Sequence, residues 1–149
     1  MRIYTASALT FILLLYLTGC ATKITYAPTE RIGNKDASII LEQLTMMQTS
    51  KWKPDNIQIN ENYILWSYGS VSELDPLGNY SNHDLSERIY FNSILEVQLM
   101  SEKRLTGQWY VVSIIKGENN NLDVYHTQSV NEAKRYIDAL ESLMTAYKK

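Results

Sequence analysis

The stretch SVNEAKRYIDALESLMTAYKK, residues 129–149, is the most regular part of the chain and decides how the rest is arranged. Ser129 followed three positions later by Glu132 is the signature of a capping box, which begins a helix. Apolar side chains then recur every three or four positions, with charged side chains between them. The apolar stripe consists of Ala133, Tyr136, Ile137, Leu140, Leu143, Met144 and Tyr147. A helix with one continuous apolar face predicts a sheet that this face covers.

The residues before this helix show the shorter alternation of β-strands. Ile57 and Ile59 alternate with polar residues, and Asn60–Asn62 can turn the chain into a returning strand. The predicted strands cover residues 57–59, 63–68, 89–91, 93–100, 108–115 and 122–127. Residues 69–87 are polar and contain two glycines and a proline, which predicts a long irregular loop.

A second helix is predicted before the strands. Asp36 can cap it, and it runs to about Thr49. Its apolar face is formed by Ala37, Ile40, Leu41, Leu44 and Met47, widened by Ile39 and Met46. Residues 21 to about 35 contain Pro28 and Gly33 and have no sustained period, so that they are predicted to form a flexible tether.

Composition excludes several classes of function. The chain has 149 residues and a formal net charge of -2, without the strongly basic character typical of a nucleic-acid binder. Its single cysteine excludes an intrachain disulfide and a thiolate-rich zinc site. The length fits one domain, or one domain preceded by a targeting segment.

The strongly apolar residues are concentrated near the N-terminus. Arg2 is followed by the run ALTFILLLYL, residues 8–17, and no further charge occurs before Lys23. About ten apolar residues are too few to span a hydrocarbon core roughly 30 Å thick. A basic residue, a short apolar run and then small residues are the order of a secretory signal. The run ends in Leu17, Thr18, Gly19 and Cys20, which is the only cysteine.

This ending resembles the lipobox of bacterial lipoproteins, which reads Leu, a small residue, Gly or Ala, and then Cys. The resemblance implies that signal peptidase II recognises Leu17, Thr18, Gly19 and Cys20. The enzyme would cut before Cys20 after its thiol has received a diacylglyceryl group, and an N-acyl chain on Cys20 can follow. Two or three acyl chains anchor a protein stably in a membrane, whereas one chain binds only marginally.

The lipobox resemblance divides the chain into a signal peptide at 1–19, a lipidated cysteine with its tether at 20–35, and a single globular domain at 36–149. By the sorting rule of enteric lipoproteins, Ala21 in place of Asp implies the outer membrane, facing the periplasm, if the organism is Gram-negative. The competing interpretation is an uncleaved N-terminal membrane helix with an incidental cysteine.

The stretch from Glu87 to Met144 resembles the C-terminal half of bacterial pleckstrin-homology-like domains. The resemblance rests on IYFNSILEV (residues 89–97), WYVV (109–112) and TQSVNEAKRYIDAL (127–140). It implies an α+β fold: a small, strongly bent antiparallel sheet of six or seven strands, capped by the C-terminal helix. The extra N-terminal helix departs from that family. The alternative is another α+β lipoprotein fold, with both helices on one face of an antiparallel sheet.

Residues suited to catalysis are scarce. A metal site would need both histidines, His83 and His126, together with carboxylates such as Asp84 or Asp123. His126 lies on a predicted strand, where a packed imidazole is the simpler interpretation, and His83 lies in the polar loop. The chain contains no nucleophile elbow, phosphate-binding glycine loop or H-E-x-x-H motif. We expect no catalytic residue, no metal and no cofactor beyond the lipid on Cys20.

The expected function is that of a membrane-anchored envelope lipoprotein whose domain binds a protein or peptide without catalysis. The loop around Tyr80 and the exposed aromatic residues of strand 63–68 are the expected contact points, because amphipathic aromatic side chains are common at interfaces. The alternative is a small-ligand-binding or hydrolytic lipoprotein with a pocket near His83 or His126.

Overall fold

A computed structural model of the chain describes residues 21–74, 80–117 and 120–148, with the backbone alone for residues 71–74 and 80–83. The described part begins with a strand and a helix, continues through six strands and ends in a second helix. In chain order the elements are β1 (Ala21–Ile24), α1 (Asn34–Met47), β2 (Asn56–Ile59), β3 (Tyr63–Leu74), β4 (Tyr80–Tyr90), a 3-10 turn (Phe91–Ser93), β5 (Glu96–Arg104), β6 (Gly107–Ile115), β7 (Asn121–Thr127) and α2 (Val130–Tyr147).

The seven described strands form two antiparallel sheets. One sheet has the order β1-β5-β6-β7 and the other the order β2-β3-β4. The predicted α+β class with a C-terminal helix is confirmed, but the prediction of one strongly bent sheet is wrong. The 3-10 turn Phe91–Ser93 separates β4 from β5. In a single sheet β4 would pair with β5, but that edge of β5 is paired with β1 instead.

Both sheets and both helices contribute to one hydrophobic core. The Tyr136 side chain is fully buried, and its ring stacks on that of Tyr125 with centroids 4.5 Å apart. The apolar stripe predicted for α2 therefore faces the core. The principal buried side chains come from α1 (Ala37, Leu41, Leu44), the three-stranded sheet (Ile57, Ile64, Trp66, Ile89), the four-stranded sheet (Leu99, Val112, Ile114, Val124, Tyr125) and α2 (Ala133, Tyr136, Ile137, Leu140, Leu143).

Helix α2 starts at the predicted capping box, although only half of the box forms. The Ser129 hydroxyl accepts a hydrogen bond from the Glu132 backbone N–H at 3.3 Å. The Glu132 carboxylate instead accepts hydrogen bonds from the hydroxyls of Thr127, at 2.6 Å, and Tyr125, at 3.3 Å. Thr127 Oγ1 in turn accepts from the Ser129 N–H at 3.1 Å, which ties the end of β7 to the start of the helix.

Helix α1 covers the predicted segment but starts differently. It begins at Asn34 with Gly33 as its N-cap and no capping side chain, so that Asp36 lies in the first turn and not at the cap. Leu41 is fully buried as predicted, whereas Met47, predicted on the same face, is exposed. The predicted apolar face therefore holds for Ala37, Leu41 and Leu44 and not for Ile39 or Met47.

Strand β1 occupies part of the segment predicted to be a tether. It pairs antiparallel with β5, and Ala21, the first residue described, lies opposite Glu102. At its other end Ile24 lies opposite Leu99. The tether predicted over residues 20–35 is therefore wrong for Ala21–Ile24, which form an edge strand of the four-stranded sheet, and the globular domain includes residues before 36.

The residues after β1 are held against α2 by hydrogen bonds to buried side chains. The Asp138 carboxylate accepts from the Tyr26 hydroxyl at 2.9 Å and from the Thr29 N–H at 3.3 Å. The Ser142 hydroxyl accepts from the Ile32 N–H at 3.1 Å. Asp138 and Ser142 are both buried, and a buried polar group is costly without partners, so these bonds favour one path for the segment.

The polar residues predicted to form a loop over 69–87 largely extend the three-stranded sheet. Strands β3 and β4 remain paired as far as Leu74 opposite Tyr80, and residues 75–79 lie outside the described residues. A register shift between Ser67 and Ser70 accommodates Gly69, whose φ of +81° favours glycine. The loop prediction is wrong because this hairpin is held by hydrogen bonds between backbone groups. Such pairing does not require alternating hydrophobic residues, so the sequence shows no strand pattern here.

The half-formed capping box predicts a specific loss of stability. Ser129→Ala removes the acceptor for the Glu132 N–H and should lower the free energy of unfolding by about 1 kcal/mol. Ser38→Ala is the matched control, because Ser38 lies inside α1 and its hydroxyl bonds only to the Asn34 carbonyl. We expect it to be neutral within roughly 0.5 kcal/mol, since alanine is the better helix former. Urea unfolding measures both, and equal losses would contradict the capping role.

Candidate functional site

Part of the predicted site lies outside the described residues. Leu17, Thr18, Gly19 and Cys20 precede Ala21, so that the lipobox and its lipidation stay predictions. Neither of the two helices in the described part combines the length and apolar content needed to cross a membrane.

The structure separates the two histidines proposed as metal ligands. His83 has its backbone in β4, opposite Val71, and its side chain is not described. His126 lies in β7 with a buried side chain. Within the described residues no three His, Cys, Asp or Glu side chains are grouped so that they could hold a metal ion.

His126 is packed between a strand and the loop after α1. Its ring stacks on that of Trp52 at 4.4 Å with an angle of 6° between the planes. Its backbone N–H donates to Gln48 Oε1 at 2.8 Å, and its Nε2 is 4.0 Å from Asp123 Oδ2. Burial lowers the pKa of His126, and the opposing effect of Asp123 is smaller. The imidazole is therefore neutral at pH 7 and held flat against the indole.

Two tryptophans and a guanidinium extend this packing to the surface. The ring centroids of Trp52 and Trp109 are 5.0 Å apart in an edge-to-face arrangement. The Arg104 guanidinium lies 5.0 Å from the Trp52 ring and 5.4 Å from the Trp109 ring. Lys51 Nζ approaches Trp52 to 5.0 Å. We refer to Trp52, Trp109 and His126 as the tryptophan cluster.

An open groove of about 420 Å3 runs beside the tryptophan cluster. Its lining residues include Gln48, Trp109, Tyr125, His126 and Glu132. Burial raises the pKa of Tyr125 to about 12, so its hydroxyl stays protonated and donates to the Glu132 carboxylate. The Glu132 carboxylate in this groove is thus already bound by the hydroxyls of Tyr125 and Thr127.

A second groove, of about 320 Å3, lies between the two sheets. Residues of β3, β4 and β7 line it, and we call it the β4–β7 groove: Trp66, Tyr68, Leu85, Ser86, Glu87, Leu122, Asp123 and Val124. Tyr68 is 45% exposed and Leu85 is 44% exposed, so that both present apolar surface at the opening of this groove.

The strands on the two sides of this groove are both edge strands. Among the described residues β4 pairs only with β3, and β7 pairs only with β6. Each therefore has one edge whose backbone groups have no strand partner in that part of the chain. Unpaired edges of this kind accept an additional strand readily.

The polar atoms of the β4–β7 groove are mostly acidic or buried. Glu87 forms an ion pair with Lys116 at 2.8 Å. Burial, with a smaller effect of Glu87, raises the pKa of Tyr68, so the phenol stays protonated. The buried Trp66 Nε1 has no hydrogen-bond partner among the described atoms. The groove thus combines apolar surface with carboxylates.

The sequence pointed to part of this groove. Strand 63–68 was expected to expose an aromatic side chain, and Tyr68 does so. Leu85 was missed because it lies in the run predicted to be a polar loop. The partner of His126 was also missed, since Trp52 lies far from it in the sequence and carries no periodic signal.

The lowered pKa of His126 predicts a pH-dependent loss of stability. Because the unfolded chain has the ordinary pKa near 6.5, it binds more protons than the folded chain as the pH falls below that value. The free energy of unfolding should therefore fall between pH 7.5 and 5.5. His126→Phe keeps a flat ring on Trp52 and should show a smaller fall in urea unfolding. An equal fall in both proteins would show that His126 is not responsible.

No protein-family model, no curated protein and no solved structure matches the chain. Its function is therefore inferred from the contacts, exposure and charges of its own residues.

Proposed function

We propose that the protein is a lipid-anchored bacterial envelope lipoprotein whose domain binds, without catalysis, an extended segment of a partner protein. The binding site is the β4–β7 groove. The observation that carries this proposal is the pair of edge strands on either side of an apolar opening that exposes Tyr68 and Leu85.

An extended peptide fits the two kinds of surface that this groove offers. Its backbone can pair with the outer edge of β4 or of β7, as in recognition by strand addition. Its side chains on one face would then point toward Tyr68 and Leu85, because alternate residues of a strand share a face. Backbone pairing supplies affinity, and the apolar opening selects the side chains.

The charges around the groove suggest the composition of the segment. Asp84 and Asp123 are exposed, and Glu87 is paired with Lys116. A segment with an apolar side chain flanked by lysine or arginine would place its cations near these carboxylates. Such complementarity raises the rate of association and the specificity more than the affinity.

The alternative function, small-ligand binding or hydrolysis near His126, is favoured by one observation, the groove beside the tryptophan cluster. Two contacts make it the weaker proposal. The imidazole is covered by Trp52, and the Glu132 carboxylate is occupied by Thr127 and Tyr125. A general acid–base pair needs groups that reach the substrate.

We also propose a distant relation to pleckstrin-homology-like domains as the finer form of the fold. Seven antiparallel strands in two sheets, followed by an amphipathic helix whose apolar face is buried, support this relation. Helix α1, inserted between β1 and β2, departs from it. The proposed binding site does not depend on the relation.

The lipid anchor predicts incorporation of labelled palmitate into the chain expressed in bacteria. Cys20→Ala should abolish the label and leave the precursor uncleaved, because only a thiol forms the thioether and signal peptidase II cuts after lipidation. Ala21→Ser changes the neighbouring residue, keeps the lipobox and should label as the unchanged chain does. Labelled Cys20→Ala protein would contradict the anchor.

The groove predicts which side chains a bound peptide needs. Peptides selected from a random displayed library on the chain from residue 20, carrying Cys20→Ser, should bind at least about tenfold more weakly to Tyr68→Ala, a loss of about 1.4 kcal/mol. Leu85→Ala should weaken binding in the same direction. Tyr90→Ala is the matched control, because Tyr90 is a tyrosine of the same sheet exposed to the same degree as Tyr68, at 46%, but lies outside the groove.

Affinities are measured by fluorescence anisotropy, and amide hydrogen exchange locates the bound peptide. We expect new protection in β4 or β7. Peptides that bind Tyr68→Ala with unchanged affinity, or that protect the tryptophan cluster instead, would contradict the proposed site and favour the alternative.

A further inference from the structure

The end of the four-stranded sheet at which the chain enters carries an exposed apolar and basic turn. Ala21 lies opposite Glu102, and β5 continues to Arg104, which pairs with Gly107 across the β5–β6 turn. Because β1 is antiparallel to β5, the chain enters β1 at the end of the sheet where this turn lies.

No spacer separates the proposed anchor from this end of the fold. Cys20 is joined to Ala21 by one peptide bond, and consecutive Cα atoms are about 3.8 Å apart. A diacylglyceryl group on Cys20 keeps that residue at the surface of the bilayer. The start of β1, and the β5–β6 turn beside it, are then brought to the same surface.

The side chains of the turn suit the interfacial region of a bilayer. Leu105, at its tip, is 100% exposed. Lys103, two residues before it, is exposed, whereas the Arg104 guanidinium is paired with the Glu102 carboxylate and lies over both tryptophan rings. An apolar tip near an exposed lysine can place its leucine among the acyl chains while the ammonium contacts phosphate.

The tryptophan cluster continues this surface. Trp52 is partly exposed, and Lys51 and Lys53 on either side of it are exposed. Amphipathic indole rings favour the level of the lipid head groups. The apolar, aromatic and basic side chains thus lie at the one end of the sheet where the chain meets its proposed anchor.

We infer that the β5–β6 turn, with Leu105 at its tip, rests in the head-group region of the bilayer that holds the Cys20 anchor. The ligand of this surface is an anionic phospholipid membrane. The inference rests on the lipid anchor proposed above and adds an orientation: the domain stands on this turn instead of moving freely on a tether.

The same hairpin supplies a matched control at its other end. Leu95 is 65% exposed, and its N–H donates to the carbonyl of Ile115, the last residue of β6. Ten residues separate Leu95 from Leu105, about 34 Å of extended chain at roughly 3.4 Å per residue. A membrane at the turn therefore leaves Leu95 in water.

The test uses the mature lipoprotein reconstituted in vesicles of phosphatidylethanolamine and phosphatidylglycerol. Acylation removes the only natural thiol, so Leu105→Cys and Leu95→Cys each carry one site for an environment-sensitive fluorophore. We expect the label at position 105 to shift to the blue and to be quenched by lipids with shallow nitroxides. The quenching should be several-fold stronger than at position 95.

The outcomes separate the inference from the anchor. Mass spectrometry of the purified protein reports acylation of Cys20 before vesicles are made, and its absence would overturn both proposals. With acylation present, equal quenching at positions 95 and 105 would overturn the orientation alone. A label at 105 that is protected in native membranes but not in pure lipid would show that a protein covers the turn, which also overturns it.

Discussion

The burial of one face of α2 is the constraint on which the other elements depend. Tyr136, Leu140 and Leu143 are fully buried, and the side chains around them come from both sheets and from α1. An isolated helix of this length is marginal in water, and most of its stability comes from packing its apolar face. This face packs on β5, β6 and β7 and on α1, while α1 contacts β2, so that the two sheets share one core. Helix and sheets therefore stabilise one another.

Polar side chains of the same helix order the segment that follows β1. Asp138 and Ser142 are buried and receive hydrogen bonds from Tyr26, Thr29 and Ile32. These bonds hold the chain after β1 on the surface of α2, while backbone pairing holds β1 on the edge of β5. A segment with little hydrophobic content is thus ordered by satisfying the polar groups of a helix. The membrane anchor proposed at Cys20 is consequently joined directly to a strand.

The sequence alone predicted those elements that have an apolar face to bury. The period of α2, its start at Ser129 and the β5–β6 hairpin all followed from such patterns, as did the packed environment of His126. The sequence did not predict the segments whose conformation is fixed by backbone pairing or by single polar contacts. Residues 69–74 and 80–87 form strands without hydrophobic alternation, and Trp52 contacts His126 although the two are far apart in the chain. The aromatic residues of strand 63–68 indicated Tyr68 as a contact point. That β7 residues form the other side of the groove depends on how the two sheets pack, which the sequence does not show.

The two proposed surfaces lie toward different ends of the four-stranded sheet, and this separation has a functional consequence. In β7, Leu122 lies opposite Ile114, toward the end of the sheet away from the β5–β6 turn, whereas Thr127 lies opposite Tyr110, toward it. A domain that stands on this turn would hold the β4–β7 groove away from the bilayer and open to the aqueous phase. A folded domain of this size is roughly 35 Å across, and no tether lengthens its reach. A partner segment would therefore have to come within about that distance of the membrane surface, which favours partners that are themselves attached to the same membrane.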